Sequence, residues 1–182
     1  MNRSPSACRS WLLRHAGGLA LGVSCAGLAG CLATNPPAPA PRWFDPRPAA
    51  AALSPACRVA FRVTAAPHLG REFAVRTGER ELAFDGLHQW LDTPRDVVEQ
   101  AVARAFGPPE PGAPSVELHV VAFEVDRTAT PRARVRLLWR KAGESVQELR
   151  AEAAAASLQP GDCAAAMALA LAQLLGELAK KV

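Results

Sequence analysis

The sequence predicts a two-layer α+β domain: a mainly antiparallel sheet of about six strands with two helices packed on one face. Three observations predict it. Six short segments between residues 57 and 182 carry strand-like apolar patterning, most plainly as a period-two alternation. Two longer segments, near 93–107 and 161–182, repeat apolar residues at helical spacing. The order is three strands and a helix, twice over, in a length sufficient for one modest core.

Each element has its own signal. In "CRVAFRV", Val59, Phe61 and Val63 alternate with Arg58 and Arg62, as in a half-buried strand. "EFAVRT-GE-RELAF" reads as two strands around Gly78, with Phe73, Val75, Leu82 and Phe84 expected inward. "TPRDVVEQAVARAFGPP" is a helix: Thr93 suits the N-cap, Pro94 the first helical position and Asp96 the positive end of the dipole. Val97, Val98, Ala101, Val102, Ala105 and Phe106 form its apolar stripe, and Gly107-Pro108 ends it.

"SVELHVVAFEVDR" and "PRARVRLLWRKAG" are two longer strands with a turn near Ala129–Pro131. In the second, Ala133, Val135, Leu137 and Trp139 alternate with Arg132, Arg134, Arg136, Leu138 and Arg140, giving a core face and a basic, wet face. A further strand is expected over about Ser145–Ala154, after Gly143. The closing helix, "GDCAAAMALALAQLLGELAKKV", is expected to be capped by Asp162. Met167, Leu171, Leu174, Leu175 and Leu178 line one side, Lys180 and Lys181 offset the dipole, and alanines allow a close approach to a sheet.

The residues before the domain have a different character. Arg3, Arg9 and Arg14 precede "AGGLALGVSCAGLAG", an uncharged run too short to cross a bilayer, where about 20 apolar residues are needed. The run ends "LAGC", which resembles a bacterial lipobox. In such signals the thiol of the cysteine, here Cys31, receives a diacylglycerol, and the chain is cut before it. Residues 1–30 are thus expected to be a lipoprotein signal peptide. Residues 31–56 are expected to be the lipidated Cys31 and a Pro/Ala-rich tether, and residues 57–182 the domain. Prolines 36, 37, 39, 41, 46, 48 and 55 favour an extended tether. Within it, "RWF" (Arg42–Phe44) is an aromatic island that could dock on the domain or on a partner. By resemblance to Gram-negative lipoprotein sorting, Leu32 in place of an aspartate after the lipid site implies the outer membrane, with the domain facing the periplasm.

The formal charge of +4 overstates the basicity of the mature chain. Removing Arg3, Arg9 and Arg14 from 21 basic residues leaves 18 against 17 acidic ones, which is no argument for nucleic acid. Once Cys8 and Cys25 leave with the signal and Cys31 is acylated, Cys57 and Cys163 remain. In an oxidising compartment they are a candidate disulfide; two separate buried thiols are the alternative.

The chain offers no catalytic signature. There is no Gly-x-Ser-x-Gly, no His-Glu-x-x-His and no phosphate-cradling glycine loop. His68, His88 and His119 lack ligand spacing with the cysteines, and Asp85 and Asp92 are explained as turn and cap residues. No metal or cofactor is expected, and no enzyme. The candidate functional surface is the row Arg132, Arg134, Arg136 and Arg140, which could meet lipid phosphates or an acidic partner. The competing explanation is a solvated sheet face neutralised by Glu148 or Glu152.

"FDGLHQWLDTPRDVVEQAVARAF" (Phe84–Phe106), "VVAFEVDR", "RLLWR" and "DCAAAMALALAQLLGELAKKV" together resemble the ABC-type transport auxiliary lipoproteins, the PqiC-like group. His88, Trp90 and Pro94 match that family's His-x-Trp-x-x-x-Pro pattern, although "QWLDTP" departs from the commoner acidic-proline form. The resemblance implies a non-catalytic auxiliary component of an envelope system that moves phospholipid or another hydrophobic compound. The implied partners are the membrane, a periplasmic MCE-domain protein and, through it, a permease and an ATPase; self-association is compatible with this. Trp90 would either pack under the first helix or sit at the docking surface. The alternative is an envelope lipoprotein that supports assembly without handling lipid.

Overall fold

The computed structural model describes residues 37–49 and 59–182. Cys31 and Cys57, with their assignments as lipid site and disulfide partner, lie outside the described residues. Among the described residues, seven strands form one layer and two helices the other. The strands are β1 (Arg42–Phe44), β2 (Ala60–Ala65), β3 (Glu72–Arg76), β4 (Leu82–Trp90), β5 (Ser115–Asp126), β6 (Arg132–Lys141) and β7 (Gln147–Ala154). The helices are α1 (Pro94–Phe106) and α2 (Pro160–Ala179).

The α+β architecture and its element order match the sequence reading, but the sheet is mixed rather than mainly antiparallel. The pairs β3–β4, β5–β6 and β6–β7 are antiparallel. The pairs β1–β4, β2–β5 and β3–β5 are parallel. Along one edge of β5, β2 occupies Ser115–Val120 and β3 follows at Glu124–Asp126, so these two strands act as one interrupted strand. Local alternation cannot reveal this, because strand direction is set by which distant segment pairs.

β5 changes parity along its length. Val116, Leu118 and Val120 face the helices, and then Phe123 and Val125 do. A bulge between Val120 and Ala122 absorbs the extra residue, so both halves keep their apolar side chains in the core. On β6, Ala133, Val135, Leu137 and Trp139 are buried as the alternation predicts.

α1 has the expected ends. The Thr93 hydroxyl accepts from the Asp96 amide, and Gly107 closes the helix at φ +74, a conformation that favours glycine. Its stripe packs on β2 and β5, with Phe61 and Phe106 rings 5.0 Å apart. α2 lies along β6 and β7, and Met167, Leu171, Leu174, Leu175 and Leu178 are buried together with Ala164, Ala166 and Ala170. Small residues let the helix sit close to the sheet. α2 is long and apolar enough to cross a membrane by length and composition alone, and half of it is buried inside the domain.

Two local expectations need correction. Asp162 does not cap α2: the cap position is Gln159, and the Asp162 carboxylate instead accepts from the Ser157 hydroxyl. Leu82 and Phe84 do not point inward. The β3–β4 turn spans residues 77–81, which pairs Phe84 with Ala74 and Leu82 with Arg76, on the face away from Phe73; Phe84 is 44% exposed. Arg42–Phe44, the aromatic island within the expected tether, takes the first of its two expected places and docks on the domain, as a parallel edge strand of the sheet. Phe44 packs against Phe73 at 5.6 Å between ring centroids.

Candidate functional site

The helix-free face of the sheet carries the arginine row. Strand alternation on β6 aims Arg132, Arg134, Arg136 and Arg140 to this side, and the neighbouring strands answer with acids. Arg132 lies 3.0 Å from Glu152, and Arg136 holds Glu148 through two contacts of 3.0 and 3.3 Å. Arg140 pairs with Glu117 on β5. Arg134 reaches Asp126 at 2.7 Å and Glu152 at 2.9 Å. On β3, Arg76 grips Glu124 with two hydrogen bonds of 2.6 and 2.9 Å. Five arginines thus meet five carboxylates, and the row is a neutralised lattice rather than a free basic strip.

Two of the acids are unusual in being buried: Glu124 is 5% and Asp126 3% exposed. Burial alone would raise the Asp126 carboxyl. The Thr128 hydroxyl and amide, followed by Arg134 and Arg132, outweigh that and hold it below the ordinary value. Burial of the Arg76 guanidinium is likewise outweighed by its hydrogen bonds to Glu124, which raise its affinity for the proton. These groups line a shallow depression of about 840 Å³ between β3 and β7. A second depression of about 480 Å³ lies at the other end of the face, where Arg62, Thr64, His119, Leu138 and Val146 surround the Arg140–Glu117 pair. There His119 Nδ1 is 2.9 Å from the Thr64 hydroxyl, so this histidine has an ordinary cross-strand partner on the wet face.

Trp90 is fully buried, stacked on Phe73 at 3.7 Å and edge-on to Phe123 at 5.3 Å. Of its two expected places, under the first helix or at a docking surface, the burial agrees with the first: it packs in the core just before α1. Cys163 is a buried free thiol beside Phe73, Val75, Val125 and Asp85. Burial and the adjacent Asp162 push its ionisation up, which makes it a poor nucleophile.

One pair escaped the sequence reading. Asp85 Oδ2 is 2.6 Å from His88 Nδ1, and Asp85 Oδ1 accepts from the Leu87 and His88 amides. The "DGLH" spacing is the signal: a side chain bonding to amides two and three residues on closes a local turn. Here it clamps the irregularity in β4 where the β3 register slips. Among the described residues, no group of three His, Cys, Asp or Glu side chains gathers to hold a metal ion.

No family model and no curated protein matches the sequence. The fold has solved counterparts. A Xanthomonas campestris protein of the DUF330 family superposes with a TM-score of 0.64 at 18% identity, over 76% of this chain and 92% of its own. An uncharacterized protein superposes with a TM-score of 0.59 at 11% identity, over 78% of this chain and 98% of its own. At these identities the likeness is one of fold.

Proposed function

We propose that the chain is a lipid-anchored protein of the outer membrane, facing the periplasm. In this reading it is a non-catalytic auxiliary component of an ABC/MCE-type system that transports phospholipid or another hydrophobic compound. The observation that carries this is the order of the first 31 residues: a basic head, a short uncharged run and "LAGC". Two or more acyl chains on Cys31 give stable anchoring, each buried CH₂ contributing about 0.8 kcal/mol. The fold likeness supports the reading, since DUF330 is the family that includes PqiC-like lipoproteins and the sequence resembles that group.

The self-neutralised lattice suits an ion-paired contact with a protein better than the holding of an acyl chain. The lattice face is therefore the proposed meeting point with the MCE-domain partner. The test has two parts. Mass analysis of the mature protein should find acyl chains on Cys31, and Cys31→Ser should release it from outer-membrane fractions. Cross-linking in cells should then recover an MCE-domain protein. An unacylated, freely soluble native protein removes the proposal.

A further inference from the structure

Exposed apolar side chains gather where the N-terminal segment joins the sheet. Trp43 on β1 is 49% exposed, and Leu87 and Leu91, on and just past β4, are 45% and 43% exposed. The β1–β4 register sets Trp43 beside Gln89, between the two leucines. The alternate residues His88 and Trp90 turn inward to Phe44 and Phe73. The Arg71 guanidinium lies 5.8 Å from the centre of the Trp43 ring, and that of Arg42 lies 5.6 Å from the Phe44 ring. Neither arginine belongs to an ion pair among the described residues, in contrast to the row on β6.

This edge is also the part of the domain closest along the chain to the anchor. Twelve residues run from Cys31 to Trp43. At no more than about 3.6 Å each, they keep Trp43 within roughly 40 Å of an acylated Cys31. So short a leash raises the effective concentration of the patch at the bilayer, and a weak surface suffices to orient the domain. The residue types suit that place: a tryptophan ring for headgroup depth, leucines for the acyl boundary and the Arg71 guanidinium for lipid phosphates.

We propose that Trp43, Leu87 and Leu91, with Arg71, form an interfacial surface that rests on the phospholipid headgroups of the anchoring membrane. The proposal depends on Cys31 being acylated, and it adds the orientation of the domain. It turns the β1–β4 edge to the bilayer.

Trp43 itself reports the outcome. The mature chain has two other tryptophans, Trp90 and Trp139, and both are buried. The acylated protein is placed in phosphatidylethanolamine/phosphatidylglycerol vesicles with and without brominated acyl chains. The emission difference between wild type and Trp43→Phe isolates the exposed ring. Bromination should quench this signal about two-fold, as for a ring at headgroup depth. The folded, acylated double variant Leu87→Asp/Leu91→Asp should lose the quenching. Unquenched Trp43 in a protein whose mass shows acyl chains overturns this proposal and leaves the anchor intact. Shielding of Trp43 from iodide only on adding a periplasmic protein assigns the surface to that protein and also overturns it. A mature mass without acyl chains removes both readings.

Discussion

Arg134 reaches across the β5–β6 hairpin to Asp126, at 2.7 Å, and not to its register partner Glu124, which Arg76 holds. Asp126 is 3% exposed, so the arginine compensates a buried charge. Arg134→Ala should therefore cost about 1–3 kcal/mol in chemical denaturation, with Thr128 still bonded to the carboxylate. Arg136→Ala removes only a half-exposed pair and should cost less than about 1 kcal/mol. Equal costs would show that burial of Asp126 does not matter.

The same carboxylate predicts a pH dependence. Its folded pKa lies below the ordinary Asp value of 3.8. Its contribution to stability is thus complete above that value and is lost as pH falls through the folded pKa. Asp126→Asn should be less stable than wild type at pH 7. It should also lose less stability between about pH 5 and pH 2, as thermal melts across that range will show.

Trp90 should tolerate Phe far better than Ala. Its indole N–H has no hydrogen-bond partner among the described residues, so Phe gives up ring volume but no bond. Trp90→Ala should cost about 3–5 kcal/mol, from the cavity left against Phe73 and Phe123. Urea midpoints of the two variants compare them directly.

The β5 bulge makes deletions asymmetric. Removing Val121 keeps Val116, Leu118 and Val120 in step with Phe123 and Val125, so that variant should still fold. Removing His119 leaves no register in which both Leu118 and Val120 face the helices. That variant should be lost from the soluble, cooperatively melting fraction.

Cys163 should be recovered as a thiol. It sits beside Val125, where β5 ends, whereas Val59 lies where β5 begins, since Ala60 pairs with Ser115. The two ends of this strand are roughly 35 Å apart at about 3.3 Å per residue. A disulfide needs Cα atoms within about 7 Å. Non-reducing peptide mapping should find no Cys57–Cys163 linkage, and a thiol reagent should label Cys163 only on denaturation.

The elements themselves were legible because their signals are local. Thr93-Pro94 and Gly107 bound α1 by their own backbone chemistry, and the Arg132–Trp139 alternation needs only the pleat of one strand. The likeness of "LAGC" to a lipobox is equally a matter of adjacent residues. The tertiary structure decided what depends on distant partners. Parallel pairing of β2 and β3 to β5 made the sheet mixed, and the length of the 77–81 turn sent Phe84 outward. It also decided the charge of the candidate surface. Four arginines in sequence read either as a basic strip or as a face neutralised by Glu148 or Glu152; the pairs that form agree with the second, with the acids on β5 and β7, up to 23 residues away. Only sheet register brings them within ion-pairing distance, and Coulomb attraction depends on that distance and not on separation along the chain.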